Sequence, residues 1–501
     1  MTGLNLPGWV VEAHHPWPHT VIDEQTWRLA CAQLATGAWT LAGLWGEASC
    51  VHMAVRGDGD DPAMEILTLL CPAGQYPSVG RVHLPAIRLE RAVRDLFGLD
   101  PVGLPDGRPW LDHGVWGVQS PLGREPKAGV AAGPYEFLPV EGEDLHQLAV
   151  GPVHAGIIEP GHFRFSADGE TVVRLEQRFG YAHKGVEGLL QGCEVMHGAR
   201  IAGRVSGDST VAYAYAYARA VETALGVDVP PRAVWLRALM AELERLANHL
   251  GDVGAICNDA AFAIMLAHCG ILRERLLRTC VPCFGHRLMM DRIVPGGVAG
   301  AWDPEKSALV RSAIGAIRTG FRPLAGLYDK TASIQDRTVG AGIVRPELAQ
   351  RFGCGGVIGR ASGRAFDARQ SVGYPPYPAL RFDVPVLQAG DINARVWIRI
   401  SEIDQSLALV EQILDGLPEG SLQAELPPGR GGEGVALVES FRGDILAWVR
   451  IESGGTLERC HLRDPSWFQW PLLEIAIEGN IAADFPLCNK SFNCSYSGHD
   501  L

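Results

Sequence analysis

The 501-residue chain has no apolar run near the 18 residues that a membrane-spanning helix needs, so no span is expected. It has no excess of positive charge. Its 44 Lys and Arg stand against 57 Asp and Glu, a formal net charge of −13, which argues against nucleic acid and anionic lipid as primary partners. Residues 1–18 show no basic stretch followed by an apolar core, so no secretory signal is expected. Twelve cysteines at irregular intervals do not form a disulfide framework, and a reducing, cytoplasmic location follows. Internal repeats are missing. The glycine cluster Gly431-Gly-Glu-Gly434 has no P-loop lysine and no Rossmann context, and reads as a turn before a strand. Any NAD(P)H chemistry would therefore belong to a partner.

What is present is a folded, turn-rich chain. Apolar residues make up 47%, with 60 glycines and 33 prolines, enough for two or three domains. The fold class expected is α+β. Residues 1–118 read as a small α+β unit, with strands at Trp39-Leu44, His52-Arg56 and Met64-Cys71 and an amphipathic helix at Ala86-Phe97. Residues 119–145, rich in Gly and Pro, read as a linker. Residues 146–501 read as a large, mainly α-helical unit with peripheral strands. Within it, Gly151-Phe165 reads as strand, turn and strand. Trp235-Leu250 is an amphipathic helix, with Leu239, Leu243 and Leu246 on one stripe and Glu242, Glu244 and Arg245 expected outside. The tail from 484 to 501 reads as irregular.

The central stretch is Arg204-Val205-Ser206-Gly207-Asp208-Ser209-Thr210, a turn between two helical segments. Cysteines at 206 and 209 would place two soft ligands at metal spacing. Serine stands at both, and a hydroxyl that stays protonated at neutral pH is a poor ligand for soft or borderline metals. Asp208 sits beside the two hydroxyls, where a hard cation or water could bind; the plainer reading is a solvated turn aspartate. Cys280-Val-Pro-Cys283 is the one intact C-x-x-C, with neither a βαβ context nor a second ligand pair. Tyr213, Tyr215 and Tyr217 alternate with alanine as in a strand, but the surrounding register favours a helix with packing tyrosines.

Several stretches together resemble a known family: Gly151-Pro-Val-His154, Glu159-Pro-Gly-His-Phe-Arg164, His183-Lys-Gly-Val-Glu187, Glu242-Leu-Glu-Arg-Leu-Ala-Asn-His249, Gly251-Asp-Val-Gly-Ala-Ile-Cys-Asn-Asp259, Gly285-His-Arg287, Pro295-Gly-Gly297 and Gly359-Arg-Ala-Ser-Gly363. The second unit resembles the large subunit of membrane-bound, energy-converting [NiFe] hydrogenases and the related 49-kDa (NuoD-type) subunit of respiratory complex I. The first unit, through Glu90-Gly98, resembles the complex I 30-kDa (NuoC) type. The same fusion occurs in the hydrogenase subunit of formate hydrogenlyase. The resemblance implies a peripheral subunit of a membrane-associated oxidoreductase, active only in a complex. Its partners would be a small [4Fe–4S] subunit (NuoB-like) and antiporter-like membrane subunits, which would hold it at the cytoplasmic membrane.

The departures from the family carry the functional reading. In active hydrogenases two C-x-x-C pairs hold nickel. The first pair falls on Ser206 and Ser209, and the second, aligned most simply, on Cys494 and Ser497, so nickel and hydrogen chemistry are not expected. The complex I branch instead implies a possible quinone site. Its aspartate falls on Asp259 and its histidine on His154 or His162, a choice the residues leave open. The pocket tyrosine of that branch falls on Arg204, and Ser206 matches its Val-Ser pattern. Glu187 matches a buried glutamate of both branches, read as an ion-pair or proton-path residue near Lys184 or Arg204. Plainer readings stand beside these: histidines that satisfy turn backbone, and Asp259 as the cap of a helix from Ala260. The candidates are thus His154, His162 and Asp259 for proton handling, and Glu187, Arg204, Ser206, Asp208 and Ser209 around the acceptor. The expected activity is electron transfer from a partner's [4Fe–4S] cluster to a quinone-like acceptor. The alternatives are a redox-inactive scaffold and an atypical hydrogenase.

Overall fold

The computed structural model describes residues 4, 6–57, 64–131, 133–142 and 144–501. Residues 132 and 143 of the expected linker, and residues 1–3, 5 and 58–63 of the first unit, lie outside the described residues. The fold is α+β.

The apolar runs of the first unit become a five-stranded sheet. Its order is Trp9–Val10, His19–Ile22, Met64–Leu70, Cys50–Gly57 and Trp39–Gly46. Runs this apolar need cover on both faces. The helices Glu24–Thr36 and Ile87–Phe97 contact the sheet, and the C-terminal sheet meets it where Trp45 packs against Trp448 and stacks on His461. That second sheet has four strands, in the order Leu457–Arg463, Asp444–Ile451, Gly432–Glu439 and His14–His15. The last of these comes from the far N-terminus and pairs in parallel, His14 opposite Glu433.

The glycine cluster is not a turn, as expected, but the start of a strand. Gly434 lies where a Cβ would stand 2.1 Å from the Ala220 carbonyl of the helix Thr210–Leu225. Only a residue without a side chain lets strand and helix approach so closely. The tyrosines of that helix reach different partners: Tyr213 donates to Asp464, Tyr215 to the Pro375 carbonyl and Tyr217 to the Val195 carbonyl.

The strand–turn–strand of the large unit is shifted. The first strand is Leu145–Val150, and residues 151–161 form the loop before His162–Asp168. The tail is not irregular throughout: Phe485–Phe492 is a helix, with Pro486 in its first turn and Asn493 left-handed at its end. The helices Pro231–Asp259, Ala263–Phe284, Pro304–Lys330 and Ile392–Gly416 form the core of the large unit. Among the described residues no helix is long and apolar enough to cross a membrane.

Pro231–Asp259 corrects the amphipathic expectation. Glu242, Glu244 and Arg245 are all buried. Glu242 accepts from Arg369, Tyr377 and Ser406, and Arg245 reaches Glu402 and the carbonyls of Glu439 and Ser440. A helix packed on every side must pair its charges internally. The period of the leucines shows one apolar stripe but not the partners that bury the opposite face.

Gly434→Ala should lower the melting temperature of the purified chain, because overpacking a tight contact costs about 1–3 kcal/mol. An unchanged melting temperature would mean that the strand does not press on the helix.

Candidate functional site

The central turn follows the helix Val195–Ala202 and leads into Thr210–Leu225. Its shape is set locally by Thr210, whose hydroxyl donates to the Gly203 carbonyl at 2.6 Å. Asp208 is its centre. Ser206 Oγ donates to Asp208 Oδ1 at 2.7 Å, and Ser209 Oγ at 3.3 Å. Arg442, from the bend between two strands of the C-terminal sheet, places Nη1 2.8 Å from Asp208 Oδ1 and Nη2 2.5 Å from Oδ2. The same guanidinium donates to Ser209 Oγ and, through Nε, to the Asn493 carbonyl. Asp208 is therefore a paired turn aspartate, its side chain 36% exposed on the cavity side, rather than a freely solvated one. Burial would raise its pKa, but Arg442 overcomes this and holds the carboxylate well below its usual range.

Glu244 lies beneath the turn. It accepts from the backbone N–H groups of Val211 and Ala212 at 2.7 and 3.1 Å, at the open end of the helix Thr210–Leu225. Burial pushes its pKa up to about 8, with Asp208 nearby adding to the rise.

Above the turn is a cavity of about 610 Å³. Its walls bring together His154 and Ile157 of the 151–161 loop, Ser206 and Asp208 of the turn, Asp259, Arg442, and Lys490, Cys494 and Tyr496 of the C-terminal segment. This distinguishes the two histidines: His154 faces the cavity and His162 does not. His162 is buried at the start of its strand, 3.4 Å from the Gly151 carbonyl, and lines a separate cavity with Phe137 and Arg178. His154 Nε2 lies 3.2 Å from the Tyr496 hydroxyl. Burial lowers the pKa of His154 and raises that of Tyr496, so both are neutral near pH 7.

Asp259 is the last residue of its helix, and the N-cap position of the next helix is Phe262, so Asp259 is not an N-cap. It shares the cavity with His154, but among the described residues no hydrogen bond joins it to either histidine. Burial raises its pKa, opposed by the nearby Lys490.

Two expected site residues lie elsewhere. Arg204 points away from the cavity into a surface ion pair with Asp291, at 2.6 Å. Glu187 pairs with neither Lys184 nor Arg204. It is buried between Arg459 and His461, at 2.7 and 2.6 Å, which overcome burial and hold its pKa at about 2. Lys184 instead donates to the carbonyls of Arg204 and Val205. Three site residues were missed in the sequence: Tyr496, Arg442 and Glu244. The pattern carried no signal for them, because each comes from a segment that reaches the turn only through the tertiary fold.

The donor set does not fit nickel. The turn offers two hydroxyls and a carboxylate already bound by a guanidinium, and Cys494 is the one thiol on the wall. That thiol donates to Gln469 at 3.7 Å, and burial raises its pKa well above the usual range. Ser497 lies outside the wall, its N–H bonded to Glu159. Nickel is held best by soft thiolate or imidazole donors, and a positive charge directed at the same atoms opposes a cation there.

Glu244 has a pH signature. Between its ordinary value of 4.5 and about 8 only the folded state holds its proton. The stability it supports is therefore complete below about pH 4.5 and falls as pH rises through that window, by at most about 1.4 kcal/mol per pH unit. The melting temperature of Glu244→Gln, which keeps an acceptor oxygen, should fall less than wild type from pH 4.5 to 8. Parallel profiles would mean that Glu244 ionises freely.

Comparison with known proteins gives concordant matches. Residues 259–430 match the family described as respiratory-chain NADH dehydrogenase, 49 Kd subunit. The chain is 32% identical to formate hydrogenlyase subunit 5 of Escherichia coli over 442 residues, covering 85% of this chain and 77% of that one. It is 30% identical to an NADH-quinone oxidoreductase subunit of Syntrophobacter fumaroxidans over 355 residues, covering 70% and 95%. Its fold is similar to a chain in the structure of the membrane-bound sulfane sulfur reductase, an archaeal respiratory membrane complex. That match has a TM-score of 0.68 and 27% identity, and covers 73% of this chain and all of that one. With this family match and relatives of 30% identity or more across most of its length, the chain belongs to the family of the complex I 49-kDa subunit and the related hydrogenase large subunits.

Proposed function

We propose that this chain is the acceptor-site subunit of a membrane-associated, complex I-like oxidoreductase. It takes electrons from a [4Fe–4S] cluster of a small partner subunit and delivers them, with protons, to a quinone-like acceptor in the 610 Å³ cavity. The observation that carries this reading is the hydrogen-bonded His154–Tyr496 pair on the cavity wall. Reducing a quinone to its quinol consumes two electrons and two protons. The pair can relay a proton. Tyr496 gives its hydroxyl proton to the acceptor oxygen, and the imidazole, refilled at Nδ1 from water, returns its Nε2 proton to the tyrosyl oxygen. Asp259, with its pKa raised by burial, supplies a second protonatable group at the same wall. Ile157, 99% exposed, and Val153, 83% exposed, sit on the loop at the cavity mouth, a surface suited to a partner subunit.

A second reading has one observation behind it. Arg442 occupies both oxygens of Asp208 and the Ser209 hydroxyl, as a scaffold retaining only its interfaces would require.

The test is quinone-dependent turnover of the complex purified from its native membrane. Tyr496→Phe and His154→Gln should each lower kcat by about 10²-fold, the lower end of what a positioned proton donor contributes, with bound iron unchanged. Asp259→Asn should lower it less. Full turnover in both pair variants overturns the proton relay. A wild-type complex with iron but no quinone turnover supports the scaffold. Nickel near one per chain with hydrogen-dependent dye reduction overturns both readings.

A further inference from the structure

Where the first sheet meets the C-terminal sheet, a line of buried polar groups joins two carboxylates. Glu433 Oε2 lies 2.8 Å from His19 Nδ1, and His19 Nε2 lies 2.6 Å from Thr68 Oγ1. Thr68 Oγ1 is 2.6 Å from His52 Nδ1, and His52 Nε2 is 2.8 Å from Glu47 Oε1. Beside this line stands His14. Its Nδ1 lies 2.7 Å from the Trp17 carbonyl and must carry a hydrogen. Among the described residues its Nε2 is buried without a partner. A protonated Nε2 would be a buried cation with nothing to donate to, so this atom presents a bare lone pair.

The cluster is short of one hydrogen and of positive charge. The line has four hydrogen bonds, each needing one hydrogen. Two neutral imidazoles and one hydroxyl supply three, so the fourth place is filled by an added proton or by a cation between His19 and Glu433. The charges are also uneven: among the described residues the guanidinium of Arg450 is shared by Glu47, Glu433 and the half-exposed Glu458, leaving two negative charges, one of them open to solvent. A divalent cation on His19 Nδ1 and Glu433 Oε2 closes both gaps. It replaces the first hydrogen bond, so that His19 Nε2–H donates to Thr68, Thr68 to His52 Nδ1, and His52 Nε2–H to Glu47. It also balances the charge and gives the lone pair of His14 a partner.

We propose that His14 Nε2, His19 Nδ1 and Glu433 Oε2 ligate a zinc-type divalent cation that clamps the N-terminal segment to the C-terminal sheet. The three side chains are buried, and their donor atoms lie within 4.8 Å of one another. Zinc bonds of about 2.0–2.2 Å at tetrahedral angles set donors roughly 3.3–3.6 Å apart, so His19 Nδ1 and Glu433 Oε2, now 2.8 Å apart, open slightly to admit the ion and His14 Nε2 completes the trio within the same 4.8 Å. The supporting contacts have the form expected around such an ion: a backbone carbonyl on the second nitrogen of His14 and a hydroxyl on that of His19. The strand pairing of His14 with Glu433 fixes two ligands in register. A neighbouring trio, Glu47, Cys50 and His52, could also hold an ion. It would leave His14 Nε2 unpartnered, and Arg450 already takes both oxygens of Glu47.

The test uses the full chain, free of any affinity tag, produced in zinc- or cobalt-supplemented medium and dialysed against metal-free buffer. About one metal ion per chain is expected by elemental analysis. The cobalt form should show tetrahedral d–d bands without a thiolate charge-transfer band, unchanged in Cys50→Ser. His14→Ala should weaken retention by more than the ~10–100-fold that a lost supporting contact costs. Its metal-free melting temperature should stay near that of the metal-free wild type, which shows that it folds. If that variant does not fold, the wild-type metal content and cobalt spectrum decide. No retained metal overturns the proposal. So does a thiolate band lost in Cys50→Ser, which would place the ion on the neighbouring trio.

Discussion

The guanidinium of Arg442 is the constraint on which the candidate site depends. It is buried, so its charge must be met inside the protein. It meets Asp208 with both terminal nitrogens, Ser209 with one of them and the Asn493 carbonyl with Nε, while its own carbonyl accepts from Gln469. One residue thus ties the central turn, a strand bend, a C-terminal helix and the final segment. The cavity exists because these pieces are held around it. The same charge decides its chemistry. Thiolates at this turn would carry negative charge that calls for a metal. Here one carboxylate and one guanidinium neutralise each other beneath the cavity.

Behind the turn, the helix Pro231–Asp259 lies within a network of charges with almost no access to water. Arg360 and Arg369 share Asp367, Glu242, Glu402 and Glu439, and His249 bonds Glu402 at 2.7 Å. Removing one member would leave an uncompensated buried charge, which is costly. Such a network resists sliding of the helices, and so holds the floor of the cavity in one geometry. Glu244 belongs to this layer but faces the turn. Burial and the carboxylate of Asp208 keep its proton on, coupling the protonation of the core to the floor of the site.

Much of the fold could be read from local pattern. Alternating and continuous apolar runs marked the first sheet, and the leucine period marked the long helix. The limits of that reading were also physical. Helix ends reach further than the pattern, because packing extends a helix past the residues that signal it. His14–His15 carries no strand signal, since its two residues pair only with a sheet more than 400 positions away. The charges of Pro231–Asp259 were placed outside because a pattern of leucines cannot show a second, polar layer of partners.

The sequence by itself determined what the turn cannot do. Ser206 and Ser209 are read directly from their positions, and the weakness of a hydroxyl as a ligand for soft or borderline metals is a property of the residue, independent of its surroundings. It also determined the α+β class and the family, through motifs spread along the chain. The tertiary structure decided what the site contains instead. It placed His154 rather than His162 in the cavity, turned Arg204 out to Asp291 and buried Glu187 elsewhere. It also brought Tyr496 and Arg442 to the wall. The reason is that a cavity is an arrangement of segments far apart in the chain. Residue type fixes the chemistry each group can perform, but distance and burial fix which groups meet and which of them hold a proton.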